Sequence, residues 1–118
     1  MVRLMENRKP DLDAVFHALS DPTRRAVVQR LTQGEATVSE LHAPFGMGLP
    51  SFMKHLGVLE SAGLLGSAKA GRVRTCTLNP DRLNAAERWF EEQRAFWEAR
   101  YDQLDGLLAA IKGETDET

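Results

Sequence analysis

Residues 37–78 read TVSELHAPFGMGLPSFMKHLGVLESAGLLGSAKAGRVRTCTL. Thr37-Val38-Ser39-Glu40 is a capping box: the Thr37 hydroxyl reaches the Glu40 amide and Glu40 reaches back. The helix it opens is short, because Pro44 cannot continue it. Phe45-Gly46-Met47-Gly48 forms a turn, and a longer helix follows over about 49–62 and stops at Gly63. Phe52, Leu56 and Leu59 stand at i, i+4 and i+7, so they face a core. A short helix, a glycine-bearing turn and a longer helix make the helix-turn-helix pattern. Spacing alone fits any helical hairpin in a small bundle equally well. The next residues separate the two. Leu65 to Lys69 and the β-branched run Val73 to Leu78 flank Gly71, which supplies a hairpin turn. A two-stranded hairpin directly after a helix-turn-helix is a wing, here over 65–78. It carries Lys69, Arg72 and Arg74, three cations within six residues.

Working outward toward the N-terminus, a helix is expected over about 11–19, with Leu12, Val15, Phe16 and Leu19 on one face. Ser20-Asp21-Pro22 breaks it. Asp21 is a good N-cap and Pro22 fits the first helical position of a second helix. That helix runs to about Gln33, with Ala26, Val27 and Leu31 inward, and ends before Gly34. Residues 1–10 mix charge and polarity without period and read as a flexible arm.

Toward the C-terminus, Asn79-Pro80 opens the longest element, over about 80–112. At ~1.5 Å per residue such a helix is roughly 50 Å long. Leu83, Phe90, Trp97, Leu104 and Ile111 recur every seven residues. Trp89, Phe96, Tyr101, Leu107 and Leu108 widen that stripe. A broad aromatic stripe on an overlong helix needs a partner surface, and two-fold homodimers are the commonest assembly. The expected interface is Leu83, Phe90, Trp97, Tyr101, Leu104, Leu108 and Ile111. The other reading is that the helix folds back and all five aromatics serve one core. Residues 113–118 are polar and acidic and read as a disordered tail. The fold class is therefore mainly α with a small β-hairpin: a winged helix-turn-helix over 11–112 with a long C-terminal dimerisation helix.

The 118 residues suit one domain. One cysteine allows neither an internal disulfide nor a cysteine cluster for zinc. No apolar run approaches a membrane span, and MVRLMENRKPD lacks the apolar core of a secretory signal. The expectation is a soluble cytoplasmic protein with no membrane partner. The net charge of −2 hides an asymmetry: residues 1–80 carry 10 Lys and Arg against 7 Asp and Glu, and residues 81–118 carry 5 against 10. A basic body joined to an acidic helix hints weakly at nucleic acid.

Leu19-Ser20-Asp21-Pro22-Thr23-Arg24-Arg25 resembles the opening signature of ArsR-type winged-helix regulators. Lys54-His55-Leu56-Gly57-Val58-Leu59-Glu60-Ser61-Ala62-Gly63-Leu64 is similar to their recognition helix and its exit. Gly71-Arg72 and Leu78-Asn79-Pro80 resemble the wing and the start of the final helix. Phe96-Trp97-Glu98 resembles the subgroup without the classical metal-binding cysteines. The resemblance implies a homodimeric transcriptional repressor at an operator near its own promoter, with double-stranded DNA and a second copy of itself as partners.

Such dimers present two recognition helices one DNA turn apart, roughly 34 Å. With Phe52, Leu56 and Leu59 inward, Pro50, Ser51, Met53, Lys54 and Gly57 face the major groove. Lys54 can donate to guanine or phosphate, and Ser51 to phosphate. His55 has a structural role or touches the DNA backbone. Lys69, Arg72 and Arg74 reach the backbone or minor groove from the wing. Arg24 and Arg25 meet phosphate or, equally, pair with Asp21 or Glu40. The family often has Ser where Met53 stands and a polar residue near Leu49, so this reading face has lost hydrogen-bond donors, and Met53 and Leu49 can contact thymine methyls instead. The thin wing and these apolar residues favour a rival reading: a winged helix used for protein contacts, with DNA binding weak or lost.

No cofactor or metal is expected. His17, His42 and His55 lie in separate helices without ligand spacing. Cys76 shares a strand face with Leu78, which suits packing; Arg74 nearby would favour a redox role only if the thiol were exposed. The aromatic helix could line a cleft for an unknown small-molecule effector, against the plainer reading of a packed interface. No motif for catalysis is present, so an enzyme is not expected.

Overall fold

Three side-chain caps start the first three helices. The structure, a computed structural model, describes residues 11–117, so the expected arm at 1–10 lies outside the described residues. Asp11 accepts from the Ala14 amide at 3.1 Å and opens α1, Leu12–Ala18. Asp21 accepts from the Arg24 amide at 3.1 Å and, with Pro22 in the first turn, opens α2, Pro22–Leu31. The Arg24 amide hydrogen bond holds the Asp21 carboxyl below its ordinary value. Strand β1, Ala36–Thr37, leads into α3, Val38–His42. Both halves of the capping box form: Glu40 N donates to Thr37 Oγ1 at 3.1 Å, and Thr37 N donates to Glu40 Oε1 at 3.0 Å. The longer helix is α4, Leu49–Ser61, followed by β2, Leu65–Ala70, β3, Val73–Leu78, and α5, Pro80–Glu117.

The wing is one strand richer than its sequence suggests. The sheet has the order β1-β3-β2, all antiparallel, with Ala36 opposite Cys76 and Thr37 opposite Thr75. Two residues are too short to show an alternating pattern, so β1 is invisible in the sequence. Between β2 and β3, Ala70 pairs with Val73, leaving Gly71-Arg72 as a two-residue turn. Gly71 has φ +62° and Arg72 stays negative, the pattern of a type II′ hairpin, whose first central position favours glycine.

The core is built from all these elements. Val15, Val27, Leu31, Leu41, Phe52, Leu56, Leu59, Leu64, Leu65 and Cys76 are buried together. Phe52 stacks on Phe45, with ring centroids 5.5 Å apart. On α2 the inward stripe is Arg24, Val27, Val28 and Leu31, whereas the sequence reading places Ala26 inward; Ala26 is exposed. The true stripe has helical spacing, but it begins on an arginine. Leu83, expected at a dimer interface, packs partly against the core of its own chain, one turn before buried Ala86.

α4 ends in a Schellman motif. Leu64 N donates to Leu59 O and Gly63 N donates to Glu60 O, both at 3.0 Å, with Gly63 at φ +78°. A Cβ on Gly63 would also stand 2.8 Å from Arg82 Nε. Gly63→Ala is therefore expected to lower the unfolding free energy by about 1–2 kcal/mol in urea titration, chiefly from the left-handed backbone.

One unit of the chain ends at Ala86 and a second begins at Glu87. The second is helical from Glu87 onward and carries exposed Trp97, Tyr101, Leu104, Leu107 and Leu108. The Trp97 and Tyr101 rings stack with centroids 5.9 Å apart. The sequence predicts a helix end near residue 112 and a disordered tail beyond; α5 runs through Gly113 to Glu117. A glycine costs a helix only about 1 kcal/mol relative to alanine, and Gly113 has no positive φ to divert the chain. Among the described residues no helix is long and apolar enough to cross a membrane.

Candidate nucleic-acid interface

The exposed side of α4 is decided by what its other side buries. With Phe52, Leu56 and Leu59 inward, Leu49, Pro50, Ser51, Lys54 and Gly57 are left exposed and Met53 half-buried. Gly48 offers no side chain to cap the helix, so its first amides keep their pull on an anion.

The wing places its cations beside that face. Lys69, Arg72 and Arg74 line one groove of about 740 Å³ together with Leu49, Met53 and Val73. The α3 residues Val38, Ser39 and His42 close its other side. Lys69 and Arg74 are direct cross-strand partners, next to the turn. Like charges in that relation weaken a hairpin, so folding alone does not account for the pair. An anion between them would reverse the sign. The sequence reading missed this pairing, although both residues lie at equal distances from the Gly71-Arg72 turn. It also missed Val38, Ser39, His42 and Val73 as groove residues.

Lys54 is not among the residues lining this groove. It borders a second groove, of about 530 Å³, between α1 and α4, with Ala14, His17, Gly57 and Val58. Gly57 meets no atom within 4 Å of a built Cβ and has ordinary φ. Among the described residues nothing requires a glycine there. Gly57→Ala is expected to stabilise the fold by about 0.5–1 kcal/mol in thermal melts. The same change should weaken DNA binding if the α4 backbone lies close to a base edge.

Arg24 is not the free phosphate donor the sequence allows. It is 9% exposed. Its Nε donates to Ala18 O at 2.7 Å and its second terminal nitrogen to His17 O at 3.2 Å. These are carbonyls of the last turn of α1, which a helix leaves unpaired. The remaining nitrogen lies 2.9 Å from His55 Nδ1. A guanidinium only donates, so in this contact His55 Nδ1 is the acceptor. His55 thereby clasps α4 to the α1–α2 corner, the structural half of its expected role. Asp21 Oδ2 is 3.8 Å from the same ring nitrogen. Neither Asp21 nor Glu40 takes the Arg24 guanidinium. Arg25 is exposed and donates to Leu19 O at 2.8 Å.

Cys76 is 1% exposed. Burial, aided by Glu60, pushes its thiol up against the weaker opposite pull of Arg74. A buried protonated thiol is packing rather than a redox centre. Among the described residues no three His, Cys, Asp or Glu side chains gather as a metal site. His42 Nε2 is 2.8 Å from Met47 O, inside its own turn.

A helix-turn-helix domain family model matches residues 19–66. The HTH-type transcriptional regulator Rv2034 of Mycobacterium tuberculosis is 35% identical over 106 residues, spanning 90% of this chain and 94% of that one. The transcriptional repressor SdpR of Bacillus subtilis is 31% identical over 78 residues, spanning 66% of this chain and 87% of its own. The crystal structure of an ArsR family transcriptional regulator, RHA00566, is 54% identical with TM-score 0.72, over 74% of this chain and 90% of that one.

Proposed function

Because the chain belongs to the ArsR family of winged helix-turn-helix transcriptional regulators, DNA-binding proteins rather than enzymes, we propose that it is a homodimeric repressor. It binds an operator near its own promoter, in the cytoplasm. The observation that carries this reading is the groove in which Lys69, Arg72 and Arg74 flank the exposed side of α4. Three cations around a helix face, two of them paired against each other, suit a polyanion of fixed shape. α4 enters the major groove by its N-terminal half, with Ser51 and Lys54 as its donors. The wing cations Lys69, Arg72 and Arg74 hold the backbone. The exposed Trp97, Tyr101, Leu104 and Leu108 of α5 meet a second copy, with Phe90 and Ile111 on the same stripe. A two-fold dimer then sets two α4 helices on successive turns of the same duplex face.

One observation favours a second reading. Leu49 is 47% exposed and Val73 51% exposed on the same groove, which would suit a protein partner. Fluorescence anisotropy against the chain's own upstream DNA and a scrambled duplex separates the two. The repressor reading expects salt-sensitive binding that prefers the native duplex and is weakened by Lys54→Ala at unchanged melting temperature. Equal weak binding to both duplexes would leave the protein-contact reading in its place.

A further inference from the structure

Sequence reading by a helix in the major groove rests mostly on Arg, Lys, Asn and Gln, whose donors and acceptors match a base edge. The exposed α4 residues from 49 to 57 are Leu49, Pro50, Ser51, Lys54 and Gly57, and of those types they include Lys54 alone. What this face offers beside Lys54 is largely apolar. Leu49, at the first position of the helix, is 47% exposed. Met53, one turn later and half-buried, lines the same groove. The cations Lys69, Arg72 and Arg74 line the same groove. A groove lined by exposed apolar side chains and by cations suits an occupant that carries both negative charge and small apolar groups. Duplex DNA is such an occupant: phosphates flank the major groove, and the thymine 5-methyl group is the apolar feature of its floor.

We propose that Leu49 and Met53 read thymine methyl groups, so that this regulator selects operators by the position of thymines in each half-site. The inference rests on the DNA-binding reading above. Lys54 and Ser51 add single hydrogen bonds, and the wing supplies affinity without sequence. Covering one methyl group is worth about a fourfold change in affinity.

The test uses duplexes selected by the full-length protein from a random pool, compared with the same duplexes carrying uracil for thymine in the half-sites. The wild-type protein should bind the uracil duplex at least about tenfold more weakly, since two half-sites each lose methyl contacts. Leu49→Ser, at an exposed position, should keep its melting temperature and bring the two affinities closer together. Equal wild-type affinity for both duplexes, with preference over a scrambled duplex retained, would overturn the methyl reading and leave DNA binding intact. An equal uracil penalty for the wild type and Leu49→Ser would overturn the role of Leu49. A selected pool no different from the input would remove the DNA reading itself.

Discussion

Replacing Arg24 with alanine should lower the unfolding free energy by about 3 kcal/mol, the size expected for losing a buried set of charge-assisted hydrogen bonds. The guanidinium donates to Ala18 O and meets His55 Nδ1, and both lose a partner when it goes. His17 O is less affected, because the Ser20 amide and hydroxyl also donate to it. Domains of this size hold about 5–15 kcal/mol in all, so the variant should melt well below the wild type. Arg24→Lys should recover little, since an ammonium cannot span three acceptors in a fixed fork. Urea unfolding at constant salt measures the loss. The same variant tests the structural assignment against the phosphate one. Its salt dependence of DNA binding should match the wild type. A slope smaller by about 1.8 per dimer would mean that Arg24 neutralises phosphate after all.

Raising salt from about 50 to 200 mM should weaken operator binding roughly 10³-fold, if Lys69, Arg72 and Arg74 of two protomers neutralise about six phosphates. The double variant Arg72→Ala with Arg74→Ala removes about four of those contacts per dimer. Its loss over the same salt range should shrink to roughly tenfold. Both arginines are exposed, so the fold should survive. Removing Arg74 also separates the Lys69–Arg74 like-charge pair, so the melting temperature should hold or rise slightly. Anisotropy titrations at several salt concentrations give the slope. A slope unchanged by the double variant would place the wing away from the DNA.

The parts of the fold with local signals were legible in the sequence. The capping box at Thr37, the Asp21-Pro22 helix start, the Phe52-Leu56-Leu59 stripe and the Gly71 turn each name a conformation that neighbouring residues alone enforce. What escaped has a non-local cause. Strand β1 exists because β3 offers it an edge, and two residues carry no period of their own. Arg24 escaped for a chemical reason: a charged side chain is seldom buried unless partners wait for it. Its partners are two backbone carbonyls of α1 and a histidine 31 residues away. The wing cations were legible as charges. Their opposition across the hairpin needed the register.

The two-residue strand has a consequence for how such a protein can diverge. Ala36 and Cys76 sit side by side in the sheet, and between them the chain runs through α3, α4 and the wing tip. Every residue of the groove that carries the wing cations belongs to this excursion. The chain leaves the scaffold at one point and returns at its neighbour, so exposed positions within the excursion can change without moving either end. The aromatic face of α5 lies wholly outside it. Under the proposed function, target preference and self-association are thus written in separate stretches of the gene, and each can drift under selection while the other is held.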